Sequence, residues 1–144
     1  NNNLSVYKAF KHQHLDEIKR SLVQLQPDFE QDLNFLPLRG DFPRGIFASL
    51  YTQSSRSLEE LYELYESYYA EDPFTIVTHR NPNLKQVVNT NKCLVYLEKH
   101  DDKVLIISMT DNLIKGASGQ AVQNMNLVFG WEETLGLQLK ALAF

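Results

Sequence analysis

The sequence predicts an α+β domain, and three observations carry that prediction. Apolar residues recur at helical spacing in three separated segments, while short extended runs fill the space between them. Strands and helices do not alternate regularly, which excludes a doubly wound parallel fold. One run, Val104-Leu105-Ile106-Ile107, is apolar without alternation and reads as a strand in the middle of a sheet. The expected architecture is a mixed, mostly antiparallel sheet with helices on one face, in one domain over residues 1–144.

The elements follow in order. Ser5 to Phe10 alternates as a short strand. Leu15, Ile18, Leu22 and Leu25 mark a helix that Pro27 closes. Residues 32–38 and 45–51 read as extended, separated by a loop containing Pro37, Gly40 and Pro43. Ser57 and Glu60 form a capping box for a helix that stops before Asp72-Pro73. Residues 74–78 form a strand, and 93–99 with 103–109 a hairpin. Ala117, Ala121, Val122, Met125 and Val128 mark a final helix, with Gly130 as its stop.

Composition narrows the function classes. The chain has 144 residues and a formal net charge of -4, with no Lys/Arg run, so no nucleic-acid partner is expected. No apolar stretch is long enough to cross a bilayer, and Asn1 to Leu4 lacks the features of a signal peptide. The single cysteine, Cys93, forbids an internal disulfide and fits a reducing, cytoplasmic compartment.

Three constellations carry candidate chemistry. His12-Gln13-His14, if extended, places both imidazoles on one side. No further ligand is spaced to join them, so no metal is expected, and they are either two exposed histidines or acid/base groups. His14 lies next to a helix start, whose partial positive charge disfavours imidazolium. Lys115 to Ala121 puts Gly116, Ala117, Ser118 and Gly119 at a helix start; such a segment serves anion binding or close packing, and composition alone favours packing. It is not a P-loop, because its lysine precedes the glycines. Arg44 at a loop-to-strand junction is either an anion fork or a surface residue. Arg39-Gly40-Asp41 spells an adhesion tripeptide, which in a cytoplasmic setting is coincidence. Tyr62, Tyr65, Tyr68 and Tyr69 at helical spacing suit packing or an oligomer face. Cys93, in a strand pattern with no helix start beside it, reads as a packed thiol.

The run from Asp111 to Asn126, Asp-Asn-Leu-Ile-Lys-Gly-Ala-Ser-Gly-Gln-Ala-Val-Gln-Asn-Met-Asn, resembles the C-terminal signature of N-acetyl-gamma-glutamyl-phosphate reductases. Gly130, Glu132-Glu133-Thr134, Gly136-Leu137, His12-x-His14 before Glu17-Ile18, Phe35, Pro37, Arg44-Gly45, Asn91 and Cys93 extend the likeness over almost the whole chain. The resemblance implies the fold of the C-terminal domain of glyceraldehyde-3-phosphate-dehydrogenase-like enzymes. It also implies NADPH-dependent reduction of N-acetyl-gamma-glutamyl phosphate to the semialdehyde in arginine biosynthesis, by a cysteine thiolate and then hydride.

By the same resemblance a histidine of the His12-x-His14 segment is the acid/base, and the helix start beside His14 favours it over His12. Arg44 binds the substrate's carboxylate or phosphate. Gly116, Gly119 and Gln120 approach the NADP cofactor. The expected partners are N-acylglutamyl phosphate, an upstream nucleotide-binding domain and further copies of the chain. This sequence departs from the pattern in lacking a Gly-x-Gly-x-x-Gly fingerprint and a cysteine in the nucleophile's context. The nucleotide-binding domain is therefore expected upstream, and the chain alone is expected to be inactive. Leu15-Asp16 replaces a usual Thr-Pro, and Leu36 and Leu38 stand where threonine and histidine are common. The alternative is an oligomerisation or acylglutamate-sensing module that kept the fold without the chemistry.

Overall fold

The computed structural model describes residues 3–141 and divides into two compact units between Pro43 and Arg44. Asn1 and Asn2, on which part of the signal-peptide reading rested, lie outside the described residues.

The first unit contains β1 (Leu4–Val6), α1 (His14–Leu25) and β2 (Leu38–Gly40). β1 and β2 pair antiparallel, with Ser5 opposite Arg39. The expected strand from Ser5 to Phe10 is cut short because the chain reverses at once: Lys8 and Phe10 take φ of 45° and 58°, a region costly for side chains of that size. Residues 32–38, expected to be extended, form no strand before Leu38. They still satisfy the reversal, since Tyr7 N–H donates to Pro37 O (2.9 Å) and Phe10 N–H to Phe35 O (3.0 Å).

The second unit is built on a four-stranded mixed sheet in the order β3 (Ile46–Gln53), β6 (Lys103–Thr110), β5 (Cys93–His100), β4 (Thr75–Thr78). β6 is antiparallel to both of its neighbours, and β4 runs parallel to β5. The uniformly apolar run therefore occupies the central strand its composition indicated. α2 (Leu58–Tyr68) begins at the expected capping box: Glu60 N–H donates to Ser57 Oγ (3.1 Å) and Ser57 N–H to Glu60 Oε2 (2.6 Å). Its Leu61 and Tyr62 pack on Val95, Leu97 and Val104, closing one face of the sheet. Tyr62 is anchored by its hydroxyl, which donates to Leu97 O (2.8 Å) and accepts from Leu97 N–H (3.3 Å).

The opposite face carries Leu94, Ile107 and Met109, covered at one end by Leu84 and Val87. Antiparallel partners directly opposite share a face, so Phe47 and Tyr51 extend this face beside Met109 and Leu105. Phe47 is 48% and Tyr51 82% exposed. β6 leads through a π turn (Ile114–Ser118) into α3 (Gly119–Val128), which ends before Gly130 at φ +68°. Among the described residues no helix is long and apolar enough to cross a membrane. The whole is an α+β fold.

Candidate functional site

In the first unit, His12 and His14 do meet, but not along a strand. Gln13 has φ -54° and ψ -34°, so the segment is already turning into α1, and His14 is the first residue of that helix. The rings lie 4.5 Å apart at 63°. The reversal at Lys8 and Phe10, which the alternating sequence pattern does not reveal, is what brings the chain round into this turn.

His14 is exposed, whereas His12 is half-buried with Tyr7 at 5.2 Å and Phe35 at 5.4 Å, both edge-on. His12 Nδ1 accepts the backbone N–H of His14 (3.2 Å), satisfying a donor in the first turn that no side chain of Gln13 caps. With Nδ1 an acceptor, a neutral His12 carries its proton on Nε2. Loss of hydration lowers the His12 pKa below 6.5, the positive charges of His14 and Lys8 lower it further, and Glu17 opposes them. The His12 ring is thus held neutral at pH 7 in a defined tautomer. Arg39, on β2, lies over the Tyr7 ring at 3.8 Å, and Lys8 Nζ lies 5.5 Å from the same centroid.

In the second unit, Arg44 is not a lone surface residue. Its Nη2 donates to Asp111 Oδ1 and also lies 3.0 Å from Oδ2, and Asp111 is fully buried. Asp111 also accepts N–H groups from Asn89 (2.6 Å), Leu113 (2.7 Å) and Ile114 (2.9 Å). Desolvation alone would raise its pKa, but these three backbone donors and the Arg44 guanidinium outweigh it, leaving the carboxyl below its usual 3.8. The next residue, Asn112, accepts from Gly45 N–H at 2.7 Å. Gly45 needs its φ of +112°, and a Cβ there would meet the Leu84 side chain at 2.9 Å. Two consecutive residues at the end of β6 therefore fix the entry to β3 and the start of the π turn together.

The two glycines of the signature have different roles. A Cβ on Gly119 would lie 2.3 Å from Asn91 Oδ1 and 2.7 Å from the Ile114 side chain, so its bareness serves close packing. A Cβ on Gly116 would make only ordinary contacts, the nearest with Asp111 O at 3.5 Å, and this residue is exposed. Gln120 is half-buried and donates to Asn124 Oδ1 at 3.0 Å. Behind them, Gln123 accepts from Asn91 Nδ2 (2.9 Å) and Lys115 Nζ (2.8 Å), and donates to Glu133 Oε1 (2.6 Å). Asn126 Nδ2 donates to the carbonyls of Glu133 and Leu135, both at 3.0 Å.

Gly116 is exposed, and its N–H donates to Asp111 O at 2.9 Å. Asn91, Gln123 and Glu133, all within the family likeness, are joined here into one hydrogen-bonded chain that their scattered positions do not signal. Cys93 Sγ lies 3.4 Å from Ser108 Oγ, within the packing against α2. Among the described residues, no three His, Cys, Asp or Glu side chains converge as a metal site.

Residues 1–112 match the family model described as semialdehyde dehydrogenase, dimerisation domain. The chain is 63% identical over all 144 residues to the N-acetyl-gamma-glutamyl-phosphate reductase of Bacteroides fragilis, covering 45% of that protein. It is 62% identical to the reductase of the same name from Flavobacterium johnsoniae and 56% identical to that of Azobacteroides pseudotrichonymphae, covering 44% of each. The chain thus spans less than half the length of the curated relatives it matches.

Proposed function

Because the chain belongs to the semialdehyde dehydrogenase dimerisation-domain family, we propose that it is the substrate-handling and subunit-pairing part of an N-acyl-gamma-glutamyl-phosphate reductase of arginine biosynthesis, working in the cytoplasm with NADP. The observation that carries this reading is identity of 63% across every residue of the chain to a reductase of that name.

In this reading the residues divide the work as follows. His14, exposed at the first turn of α1, exchanges the proton with the thiol and the reacting oxygen. His12, neutral and protonated on Nε2, is the alternative acid/base. Arg44 holds a carboxylate or phosphate of the substrate through the part of its guanidinium that Asp111 leaves unused. Gly116 and Gln120 hold the nicotinamide end of the cofactor, with Gly119 setting the position of α3 behind them. When bound, NADPH supplies the hydride. The nucleophilic cysteine and the nucleotide fold come from the upstream domain.

A second copy of the chain docks on the sheet face that bears Phe47, Tyr51, Tyr96 and Leu105. The segment matched to the dimerisation model contains every strand of that sheet and ends at Asn112, before α3.

The test is phosphate-dependent reduction of NADP by N-acetylglutamate semialdehyde, using the full natural polypeptide that contains this sequence. Robust activity there, and none with residues 1–144 alone, is the expected pair of results. An inactive full polypeptide would overturn the reading.

A further inference from the structure

We propose that Arg39 is an anion-binding residue of the histidine-bearing unit, placed to take a carboxylate or phosphate group of the substrate beside His12. The inference rests on the reductase reading and deepens it by naming a cationic contact within the histidine-bearing unit itself.

Tyr7 is the shared surface: Arg39 Cζ sits 3.8 Å above its ring, and the ring meets His12 edge-on at 5.2 Å. A guanidinium stacked on an aromatic ring uses its face, whereas it binds oxyanions through the N–H groups in its plane. Held over the Tyr7 ring, the Arg39 side chain has a defined position, which lowers the ordering cost of binding an oxyanion through its N–H groups. Arg44, in the second unit, donates to the buried Asp111 carboxylate. Lys8 adds a second positive charge over the same ring at 5.5 Å, and this charge also helps keep the His12 imidazole neutral. Arg39 is exposed on β2, opposite Ser5, so a solute reaches it from solvent without displacing a core side chain. The β1–β2 pairing brings Arg39 beside Tyr7, and the chain reversal at Lys8 and Phe10 lies between Tyr7 and His12.

The experiment uses the full natural polypeptide with Arg39→Gln and Arg39→Lys. Loss of a charge-assisted contact predicts a KM for the acyl phosphate about tenfold higher in Arg39→Gln, with kcat within about twofold, and partial recovery in Arg39→Lys. In the same preparations, the His12 imidazole is titrated by NMR with inorganic phosphate or with N-acetyl-L-glutamate. An anion bound beside it raises its midpoint, and the probe whose effect disappears in Arg39→Gln identifies the group as phosphate or carboxylate. Unchanged KM values, or probe effects identical in wild type and Arg39→Gln, would overturn the role of Arg39. A wild-type polypeptide without reductase activity would remove the parent reading, and the titration would then decide the Arg39 site alone.

Discussion

The neutral state of His12 follows first from lost hydration and then from the charges of His14 and Lys8, with Glu17 opposing them. The linkage has a definite sign: the folded pKa lies below the unfolded one, so the contribution to stability is full above 6.5 and is lost as pH falls through the lowered value. Histidine-selective NMR should show His12 titrating below 6.5. In the active polypeptide, His14→Asn should reduce kcat by about 100-fold or more with the fold intact. If His12→Asn alone does so, the function stands and the roles of the two histidines exchange.

Asp111 follows the same rule from the carboxylate side, contributing stability above pH 3.8 that disappears as pH drops through its depressed value. Asp111→Asn leaves the Arg44 charge without its partner and should cost about 2–4 kcal/mol at pH 7, read by urea unfolding. The acid dependence should be correspondingly shallower in that variant.

Between elements, the π turn and α3 separate packing from contact. Gly119→Ala forces a methyl to within 2.3 Å of Asn91 Oδ1 and should cost about 1–3 kcal/mol through overpacking. Gly116→Ala has room and should leave the melting temperature nearly unchanged, while raising the KM for NADPH if the backbone there meets the nicotinamide. Equal destabilisation by both substitutions would assign the whole segment to packing. The capping box of α2 and the central placement of β6 were legible in the sequence because each depends on local spacing or an unbroken apolar run. The reversal at Lys8 and Phe10 was not, since neither residue type signals a positive φ and its support comes from carbonyls near residue 36. For the same reason, His12 and His14 were recognisable as a pair while the turn that joins them was not. The aspartate that commits Arg44 lies 67 positions away, beyond any local pattern.

Across the molecule, the unpaired sheet face gives the proposed assembly a direct test. Phe47 and Tyr51 are exposed beside the partly covered Leu105, and a charge at either position should oppose burial against a second copy. Phe47→Glu or Tyr51→Glu should shift the protein towards monomer in sedimentation experiments, with the thermal stability of the monomer unchanged. An assembly state unaffected by both would place the contact on another surface.

The strand order also has a kinetic consequence. Among the described residues β3 pairs only with β6, whose residues follow at least 50 positions later, whereas β5 and β6 are joined by a tight hairpin. During synthesis the hairpin can close within microseconds of emerging, but β3 must first wait for the intervening chain to be made. Through that interval Ile46, Phe47, Leu50 and Tyr51 have no strand beside them. A nascent chain stalled before Lys103 should therefore be the form most dependent on chaperones and most prone to misassociate.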